Sequence, residues 1–488
     1  MRRRWLFGDQ LGPHFLDDPE QPVLMIESSR VFRRRAFHRQ KAHLILSAMR
    51  HRAAELGKQC DYRRADTYRA GLSGIDEPLD VVQPTSWAAL HLVEALTAER
   101  DLEGLPARGF ATSRTDFAGW ADGRGGKRLL LEDFYRDARL RLDLLMEGDR
   151  PVTGQWNYDA DNRAAPPKTG SLGVADPWWP AEDDIDEQVR ADLDQLAADG
   201  TEFVGADGPR RFAATRAEGL AALSHFIEHR LPDFGRYEDA MLSGDRWMSH
   251  SLLSAPLNLG LLDPLEVVRA AEHAYAEGHA SIASVEGFVR QIIGWRDYIW
   301  HLYWYLGEDY RSGNALAAHR PLPTWFAELD PTGTEAACLS SALTSVRESG
   351  WAHHIPRLMV LGNYALQRGW DPAALTDWFH RSFVDGYDWV MVPNVIGMSQ
   401  HADGGVVATK PYAAGGNYIN KMSDYCGDCV FDPEVRVGEN ACPFTAGYWL
   451  FLHRHRDEFA RNHRMSQMVR GLDRLTDLDE LIEQGPRG

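Results

Sequence analysis

The hydrophobic pattern of the chain changes from alternating strands and helices to helices alone. In the first part, short apolar runs typical of strands alternate with segments whose apolar residues recur at helical spacing. The predicted strands are RWLFGDQL (4–11), VLMIES (23–28) and DVVQP (80–84), and the predicted helices cover 37–56, 87–100 and 127–148. This alternation favours a parallel α/β sheet.

From about Phe212 onward the pattern predicts helices separated by Gly/Pro turns. A Pro/Gly-rich connection (154–173) and an acidic stretch (176–199) precede it, and the latter holds nine acidic residues against one arginine. We expect a short helix at most in that acidic stretch. The predicted organisation is an α/β domain at 1–150, an interdomain linker at 151–210 and a large all-α domain at 211–488.

Three of the five cysteines lie close together in one loop. Cys426 and Cys429 form a C-x-x-C motif, and Cys442 follows in the same loop with a proline after it. This spacing fits zinc or an iron–sulfur cluster, and both need a fourth ligand. That ligand is Cys338 or Cys60; we favour Cys338, which lies on a predicted helix in the same half, over Cys60 at the end of a basic helix. Ordinary buried thiols or a disulfide are the less favoured alternative.

Composition limits the class of protein. The length of 488 residues allows two or three domains, and the net charge of −18 opposes a protein that coats nucleic acid by bulk charge, although a local basic groove stays compatible. The sparse cysteines exclude a disulfide scaffold. With no apolar run of membrane-spanning length and no secretory signal, we expect a cytoplasmic protein. The 16 tryptophans exceed average usage.

Four short motifs in the second half carry candidate chemistry. The turn HSLLS (250–254) precedes a predicted helix, and hydroxyl and backbone N–H groups at a helix start can hold phosphate. Trp295 and Arg296 form a pair on an aromatic helix, and the arginine can bind a phosphate or a carboxylate. The segment WAHHIPR (351–357) and the Asp385-Gly386 turn follow. In order and spacing these motifs resemble the cryptochrome/photolyase family over essentially the whole chain, and with the cysteines they resemble its prokaryotic iron–sulfur branch.

The resemblance implies a fold and a set of cofactors. The fold is an α/β, Rossmann-like antenna domain with a parallel sheet, followed by a large all-α domain that holds FAD. It favours a [4Fe–4S] cluster over zinc at Cys338, Cys426, Cys429 and Cys442. A buried Arg–Asp pair would balance the charge of a reduced flavin. The implied FAD-binding residues are Tyr237, His250, Ser251, Leu253, Ser254, Arg290, Trp295, Arg296, Arg357, Asp385, Asp388 and Asn394.

The resemblance also implies an activity, the light-driven repair of (6-4) photoproducts in UV-damaged DNA. His354, with His353 beside it, matches the histidine that gives a proton to the lesion in eukaryotic (6-4) photolyases. Leu358 stands where those enzymes carry another histidine, so one acid serves alone or Tyr412 or Tyr418 helps.

Further roles follow from the same resemblance. Trp378 and Trp389 are candidate electron-transfer residues near the flavin segments. Lys410 and Lys421 are candidate contacts to DNA phosphates, and the affinity of the protein for DNA should fall as the salt concentration rises. We expect a monomer. Two alternatives stay open: a cryptochrome-type blue-light photoreceptor without repair activity, and an iron–sulfur DNA-binding module without flavin.

The antenna site is the least certain part of the resemblance. Glu27, Ser47 and Arg50 fall in the region that holds a ribolumazine-type chromophore in the iron–sulfur branch. The neighbouring positions depart from the expected polar or aromatic contacts and carry Ile26, Val31 and Arg34. The sequence therefore predicts a ribolumazine site that is altered or empty.

Overall fold

The computed structural model describes residues 2–486. Its first part contains a five-stranded parallel sheet with the order β3-β2-β1-β4-β5, which confirms the predicted α/β start of the chain. The strands are β1 (Arg3–Leu6), β2 (Val23–Ser28), β3 (Cys60–Ala65), β4 (Leu79–Val82) and β5 (Leu102–Leu105). β6 (Met146–Glu147) and β7 (Arg150–Pro151) form a separate antiparallel hairpin.

Helices α1 to α7 surround or follow the sheet. They are α1 (Ser29–Arg33), α2 (Arg39–Leu56), α3 (Tyr68–Gly71), α4 (Trp87–Thr97), α5 (Arg114–Gly123), α6 (Leu131–Leu142) and α7 (Asp184–Ala198). All six residues of β2 are buried, as expected for a parallel strand covered on both faces. Met25 of β2 belongs to one apolar cluster with Leu44 of α2, whereas Leu24 and Ile26 belong to another with Val93 of α4.

Two expectations in this part were wrong. The acidic stretch forms a full helix, α7, which begins with a capping box at Asp183 and Asp186. Its Val189 and Leu193 pack in one cluster with Leu46 of α2, because a single apolar stripe is enough to dock an otherwise acidic helix. Cys60 does not end a helix; it begins the edge strand β3.

The rest of the chain is built from helices, as the pattern predicts. They are α8 (Arg216–His229), α9 (Leu231–Phe234), α10 (Ser254–Asn258), α11 (Pro264–Ala276), α12 (Ile282–Val289), α13 (Asp297–Tyr305), α14 (Thr324–Ala327), α15 (Ala337–Ser349), α16 (Asn363–Arg368), α17 (Pro372–Ser382), α18 (Asp388–Val392), α19 (Gly416–Met422), α20 (Pro443–Arg454), α21 (Arg456–Phe459), α22 (Ser466–Leu472) and α23 (Leu478–Gln484). Within the described residues no helix is long and apolar enough to cross a membrane.

The largest apolar cluster joins both parts of the chain. Phe117 of α5 and Phe134 of α6 share it with Phe226 of α8, Val267 of α11 and Tyr298 of α13. Helices α5 and α6 therefore pack against the helical part, although they precede residue 150. The domain limits at 150 and 210 stay a prediction.

Three π-helical segments interrupt the helical part, at Arg290–Arg296, Pro356–Gly362 and Pro393–Ser399. Such segments are rare in proteins and occur often at functional sites. Each carries a residue of the predicted FAD site, namely Arg296, Arg357 and Asn394. The departures from regular helix therefore coincide with the candidate site.

Candidate functional site

A bidentate ion pair forms the centre of the candidate site. Arg357 Nη1 and Nη2 lie 2.9 and 3.0 Å from Asp385 Oδ1 and Oδ2, and both side chains are largely buried. Asp385 lies in the turn between α17 and α18. Ser254 Oγ donates to Asp385 Oδ2 at 2.7 Å, and Asn258 Nδ2 donates to the Asp385 carbonyl at 3.1 Å. Helix α10, the 356–362 segment and the 385 turn thus meet at Asp385.

The turn that contains HSLLS has an unusual backbone. Met248 and Leu252 adopt φ of 46° and 57°, the left-handed region that costs a non-glycine residue about 1–2 kcal/mol. Ser251 Oγ accepts from the Leu253 N–H at 3.3 Å. The buried His250 Nε2 has no hydrogen-bond partner among the described residues. A strained turn and a buried polar atom without a partner together favour the hypothesis that this segment binds a ligand.

Arg296 lies in a confined setting, with Nη1 3.9 Å from the buried Asp297 Oδ1. Its guanidinium donates to the carbonyls of Gly109 at 2.9 Å and Leu257 at 3.3 Å, and it lies over the rings of Phe110 and Trp389. Burial lowers the pKa of Arg296 to about 10. The adjacent Trp295 is half-buried against the main apolar cluster.

Other predicted FAD residues have partners elsewhere. Arg290 binds Asp159 at 3.1 Å and lies 3.5 Å from Glu286. Asp388 accepts from Tyr303 Oη at 2.7 Å and from Arg311 at 3.0 Å; burial opposes its ionisation, but His380 and Arg311 hold its pKa below the usual value.

Two more of these residues also have local partners. Asn394 Nδ2 donates to the Val390 carbonyl, and Tyr237 is half-buried under the guanidinium of Arg236. The structure does not bring Arg290 or Asp388 to the Arg357–Asp385 pair.

Three histidines converge next to the ion pair. Nitrogen atoms of His250, His353 and His354 all lie within 4.8 Å of one another, and the first two rings stack with centroids 4.3 Å apart. Burial, and then the nearby positive groups including Arg357, hold the pKa values of His250 and His353 well below the usual range. His354 is different, because its side chain is 44% exposed and its Nε2 lies 3.3 Å from Asp239 Oδ1.

The two predicted tyrosines lie near Asp239, the partner of His354. Burial raises the pKa values of Tyr412 and Tyr418, and for each a smaller part of the change comes from the charges of Asp239 and Arg163. Lys421 is exposed on α19 and Lys410 is half-buried in the preceding loop. Arg464, which donates to Thr409 Oγ1 at 3.0 Å, adds a cation beside Lys410.

The structure brings four cysteines to one cavity. Cys338 of α15, Cys426, Cys429 and Cys442 line it together with apolar side chains. Cys442 is the N-cap residue of α20, whose positive end favours an anionic sulfur. Burial, followed by the proximity of the other three cysteines, raises the pKa of Cys338 well above the usual value. Cys60 lies on the sheet, and Asp61 and Arg52 are among its charged neighbours.

The spacing of these sulfurs separates the two metal hypotheses. A single zinc ion with bonds of about 2.3 Å would bring its four sulfurs to about 3.8 Å from one another. Among the described residues, the groups of three ligand atoms that lie within 4.8 Å of one another include none of these cysteines. No three of these sulfurs therefore lie as close together as one zinc ion requires.

The two predicted electron-transfer tryptophans lie in different aromatic groups. Trp378 contacts Phe326 with centroids 4.4 Å apart and Phe379 at 5.0 Å, and it belongs to the cluster that contains Cys338. Trp389 packs with Phe110 and Trp300 in the main cluster. The structure therefore does not bring Trp378 and Trp389 into one aromatic group.

Two of the predicted antenna residues, Glu27 and Arg50, bind each other, whereas Ser47 Oγ lies 3.5 Å from His43 Nε2. Glu27 accepts from Arg50 at 3.0 and 3.1 Å and from Tyr62 Oη at 2.7 Å, and Arg64 lies 3.3 Å away. Both carboxylate oxygens are thus already hydrogen-bonded. This set does not fit a ribolumazine chromophore as it stands, and we assign it no antenna role.

Sequence reasoning missed three polar residues at the site. Asp239 binds His354, and Glu238 beside it is buried and accepts from Gln291 and Asn162. Lys41 of α2 is buried and donates to the carbonyls of His380 and Gly386, next to Asp385. The acidic pair directly after Tyr237 was a usable signal, whereas nothing in the helical pattern around Lys41 distinguished it from a surface lysine.

Comparison with known proteins agrees with this fold and site. The family model described as "Deoxyribodipyrimidine photo-lyase-related protein" matches residues 4–201. The chain is 41% identical to the "(6-4) photolyase" of Agrobacterium fabrum strain C58 over 486 residues, which is 95% of this chain and 93% of that protein. The chain belongs to the photolyase/cryptochrome family, and membership implies FAD as the cofactor.

Solved structures share the fold. A bacterial class III photolyase from Agrobacterium tumefaciens has a TM-score of 0.55 at 16% identity, covering 84% of this chain and 81% of that one. The cryptochrome of Synechocystis sp. PCC6803 has the same TM-score and identity, with 82% of each chain covered. At this identity the likeness concerns the fold alone.

Proposed function

We propose that the chain repairs (6-4) photoproducts in UV-damaged DNA in a light-driven reaction, with His354 as the acid that protonates the lesion. The observation that carries the proposal is the His354–Asp239 pair beside two buried histidines. Low pKa values keep His250 and His353 neutral near pH 7, whereas the His354 side chain is 44% exposed and its Nε2 lies 3.3 Å from Asp239 Oδ1. The 41% identity to a (6-4) photolyase supports the same activity.

The residues of the site fit FAD. The unpaired His250 Nε2 and the strained HSLLS turn are suited to the phosphate or ribityl part. The Arg357–Asp385 pair offers a cation that can face a reduced, anionic ring while the carboxylate keeps that cation in place. Bound FAD would supply the light-excited electron that repair requires. Tyr237, Leu253 and Asn394 stay proposed contacts on the family resemblance alone.

Trp378 is the better candidate for delivering an electron to the site from the surface. The Arg357 guanidinium lies 4.2 Å from the centroid of the Phe383 ring, and Trp378 lies 5.9 Å from the same ring. On its other side Trp378 contacts Phe326, which contacts the half-buried Trp325. This series of rings leads outward from the ion pair.

We propose that the four cysteines hold a [4Fe–4S] cluster with a structural role. Cys338 lies on α15 and Cys442 begins α20, so a cluster would tie two helices that are distant in sequence. Binding of a metal centre to such ligands stabilises the folded chain.

Damaged DNA would reach the site beside His354, Tyr412 and Tyr418. Lys410, Lys421 and Arg464 would bind its phosphates, and the two tyrosines can stack on or donate to an extruded lesion. Extrusion is cheapest at an already distorted base step, which itself gives selectivity.

The deciding experiment is repair of a defined (6-4) oligonucleotide by reduced protein under blue light, with a cyclobutane dimer as the alternative substrate. We expect repair of the (6-4) lesion alone, and a His354→Asn variant about 100-fold or more slower, because a general acid contributes about 10²- to 10⁴-fold. Flavin photoreduction should be unchanged in that variant. His273→Asn, at an exposed position on α11, is the matched control. Repair of neither lesion would overturn the proposal and favour a photoreceptor.

A further inference from the structure

The start of helix α2, which otherwise lies along the sheet, is anchored in the helical part of the chain. The N-cap residue His38 donates its backbone N–H to the Arg381 carbonyl at 2.8 Å, and its Nε2 lies 3.1 Å from the Arg347 carbonyl oxygen. Gln40 Nε2 donates to the Glu348 carbonyl. The first turn of α2 therefore presents its side chains to backbone carbonyls of the other part of the molecule.

Lys41, in the same turn, reaches the segment that carries Asp385. The residue is 3% exposed, and its Nζ donates to the His380 carbonyl at 2.6 Å and to the Gly386 carbonyl. His380 lies in the last turn of α17, where backbone carbonyls have no partner within the helix and a cationic or hydrogen-bond donor is favourable. Lys41 therefore joins the end of α17 to the peptide group that follows Asp385.

The turn at Asp385 has little room to move once these bonds are made. A Cβ at Gly386 would lie 2.7 Å from the Phe379 carbonyl oxygen, so the turn packs directly on the end of α17. The Asp385 carbonyl accepts from Asn258 Nδ2 of α10 at 3.1 Å, and the next carbonyl accepts from Lys41. Two successive carbonyls are thus held by two different helices, which fixes the direction in which the Asp385 side chain leaves the backbone.

The two hydrogen bonds of Lys41 do not depend on its charge. Burial, and then the charge of Arg35, lowers the pKa of Lys41 to about 7, whereas the charge of Asp385 acts in the opposite direction. An ammonium group has three N–H donors and a neutral amine has two, so either form can serve both carbonyls. Removal of the amine, rather than its titration, is therefore the informative change.

The Arg357–Asp385 pair can serve an anionic ligand only while its direction is kept. We propose that Lys41 is a positioning residue of the flavin site, which holds the 385 turn so that the Arg357 charge stays available to a reduced, anionic flavin. The inference rests on the proposed assignment of the Arg357–Asp385 pair to the flavin. Lys41 acts through Asp385 and thereby connects α2 of the α/β part to the flavin site.

The test is the midpoint potential of FAD bound to the full-length protein, measured anaerobically from the flavin absorption bands. Lys41→Met removes both donors and keeps an unbranched side chain that adapts to its surroundings. Reduced FAD should bind at least tenfold more weakly relative to oxidised FAD, which lowers the potential of this two-electron couple by about 30 mV. Lys58→Met, at an exposed position just after α2, should change the affinity ratio less than twofold.

The same substitution in an Asp385→Asn background separates positioning from a direct effect of charge. If Lys41 acts through Asp385, Lys41→Met should change the ratio less than twofold in that background, because the two substitutions remove the same interaction. A larger change there would overturn the proposal, since Lys41 would then act on the flavin by its own charge.

A second variant guards against a failure to fold. Lys41→Gln keeps a hydrogen-bond donor, and a fall in the affinity ratio of threefold or more supports the proposal even where Lys41→Met does not fold. An unchanged ratio in the Lys41 variants, with a lower melting temperature of the apoprotein, overturns it and leaves a purely structural role. These readouts do not require repair, so a protein that binds FAD but repairs neither lesion would refute the proposed activity alone.

Discussion

Arg357 and Asp385 bind each other through two parallel hydrogen bonds, 2.9 and 3.0 Å long, between segments 28 residues apart. Arg357 Nε donates in addition to the Ala352 carbonyl at 2.6 Å, and Ser254 Oγ donates to the carboxylate. The pair is thus fixed in direction as well as in distance. A cation aligned in this way is ready to face an anionic ligand without further reorganisation.

Asp385→Asn should destabilise the flavin-free protein by about 3–5 kcal/mol, because removal of one partner leaves the Arg357 charge buried and uncompensated. Urea unfolding of the apoprotein at pH 7 measures this free energy. Asp377→Asn is the control, since Asp377 pairs with Arg35 near the surface and should cost at most about 1 kcal/mol. Equal losses in the two variants would contradict a structural role for the buried pair.

Asp239→Asn should slow repair at least about tenfold while leaving flavin photoreduction unchanged. The carboxylate of Asp239 lies 3.3 Å from His354 Nε2; burial opposes its ionisation, but the hydrogen bond and charge of His354 hold its pKa below the usual value. Asparagine keeps an oxygen beside the imidazole ring but removes the negative charge. Repair of the (6-4) oligonucleotide at pH 7 measures the rate.

An equal loss of repair and of flavin photoreduction would instead indicate a purely structural role for Asp239. Glu228→Gln, on the exposed face of α8, is the matched charge-removal control and should leave the repair rate unchanged.

The sheet and the cysteine site were the most predictable parts of the structure. Short apolar runs between helical segments require a parallel arrangement, and β1, β2 and β4 were found in this way. Strand β3 was not predicted, because its sequence CDYRRA is polar. It lies at the sheet edge, and none of its residues is fully buried. Cys338 could be preferred over Cys60 because it lies in the same half of the chain as the other three cysteines and its predicted helix is present as α15, although the helix predicted to end at Cys60 was wrong.

The polar interior was much less predictable. Lys41, Asp239 and Glu238 are buried or half-buried by elements far away in sequence, so their roles depend on tertiary contacts that no local pattern encodes. The three π-helical segments are likewise set by packing around the site. Motif matching selected Asp388 and Arg290 as candidate site residues. Their ion-pair partners, Arg311 and Asp159, could be identified only from the folded structure.

Cys338→Ser should abolish incorporation of the cluster, whereas Cys60→Ser should leave it intact. Four thiolates are needed to hold a [4Fe–4S] centre, and Cys60 lies on the sheet outside the cavity of the other four cysteines. Iron and acid-labile sulfide per chain measure the outcome, with about four irons expected in Cys60→Ser and fewer than one in Cys338→Ser. Loss of iron in Cys60→Ser, or zinc in place of iron in the unaltered protein, would refute the assignment.

Glu238→Gln should flatten the pH dependence of stability between about pH 4.5 and pH 7. Burial raises the pKa of Glu238 from 4.5 to about 7, so between those values the folded chain keeps a proton that the unfolded chain has lost. The folded state then binds more protons, and stability falls as pH rises through this window, by up to about 3 kcal/mol.

The glutamine variant cannot ionise. Its side chain can still accept from Gln291 and donate towards Asn162 Oδ1, which is buried without a partner among the described residues. Urea unfolding at pH 5 and at pH 8 should therefore show the variant gaining stability relative to the unaltered protein by about 2–3 kcal/mol. A difference that stays constant between the two pH values would show that Glu238 is ionised in the folded chain throughout.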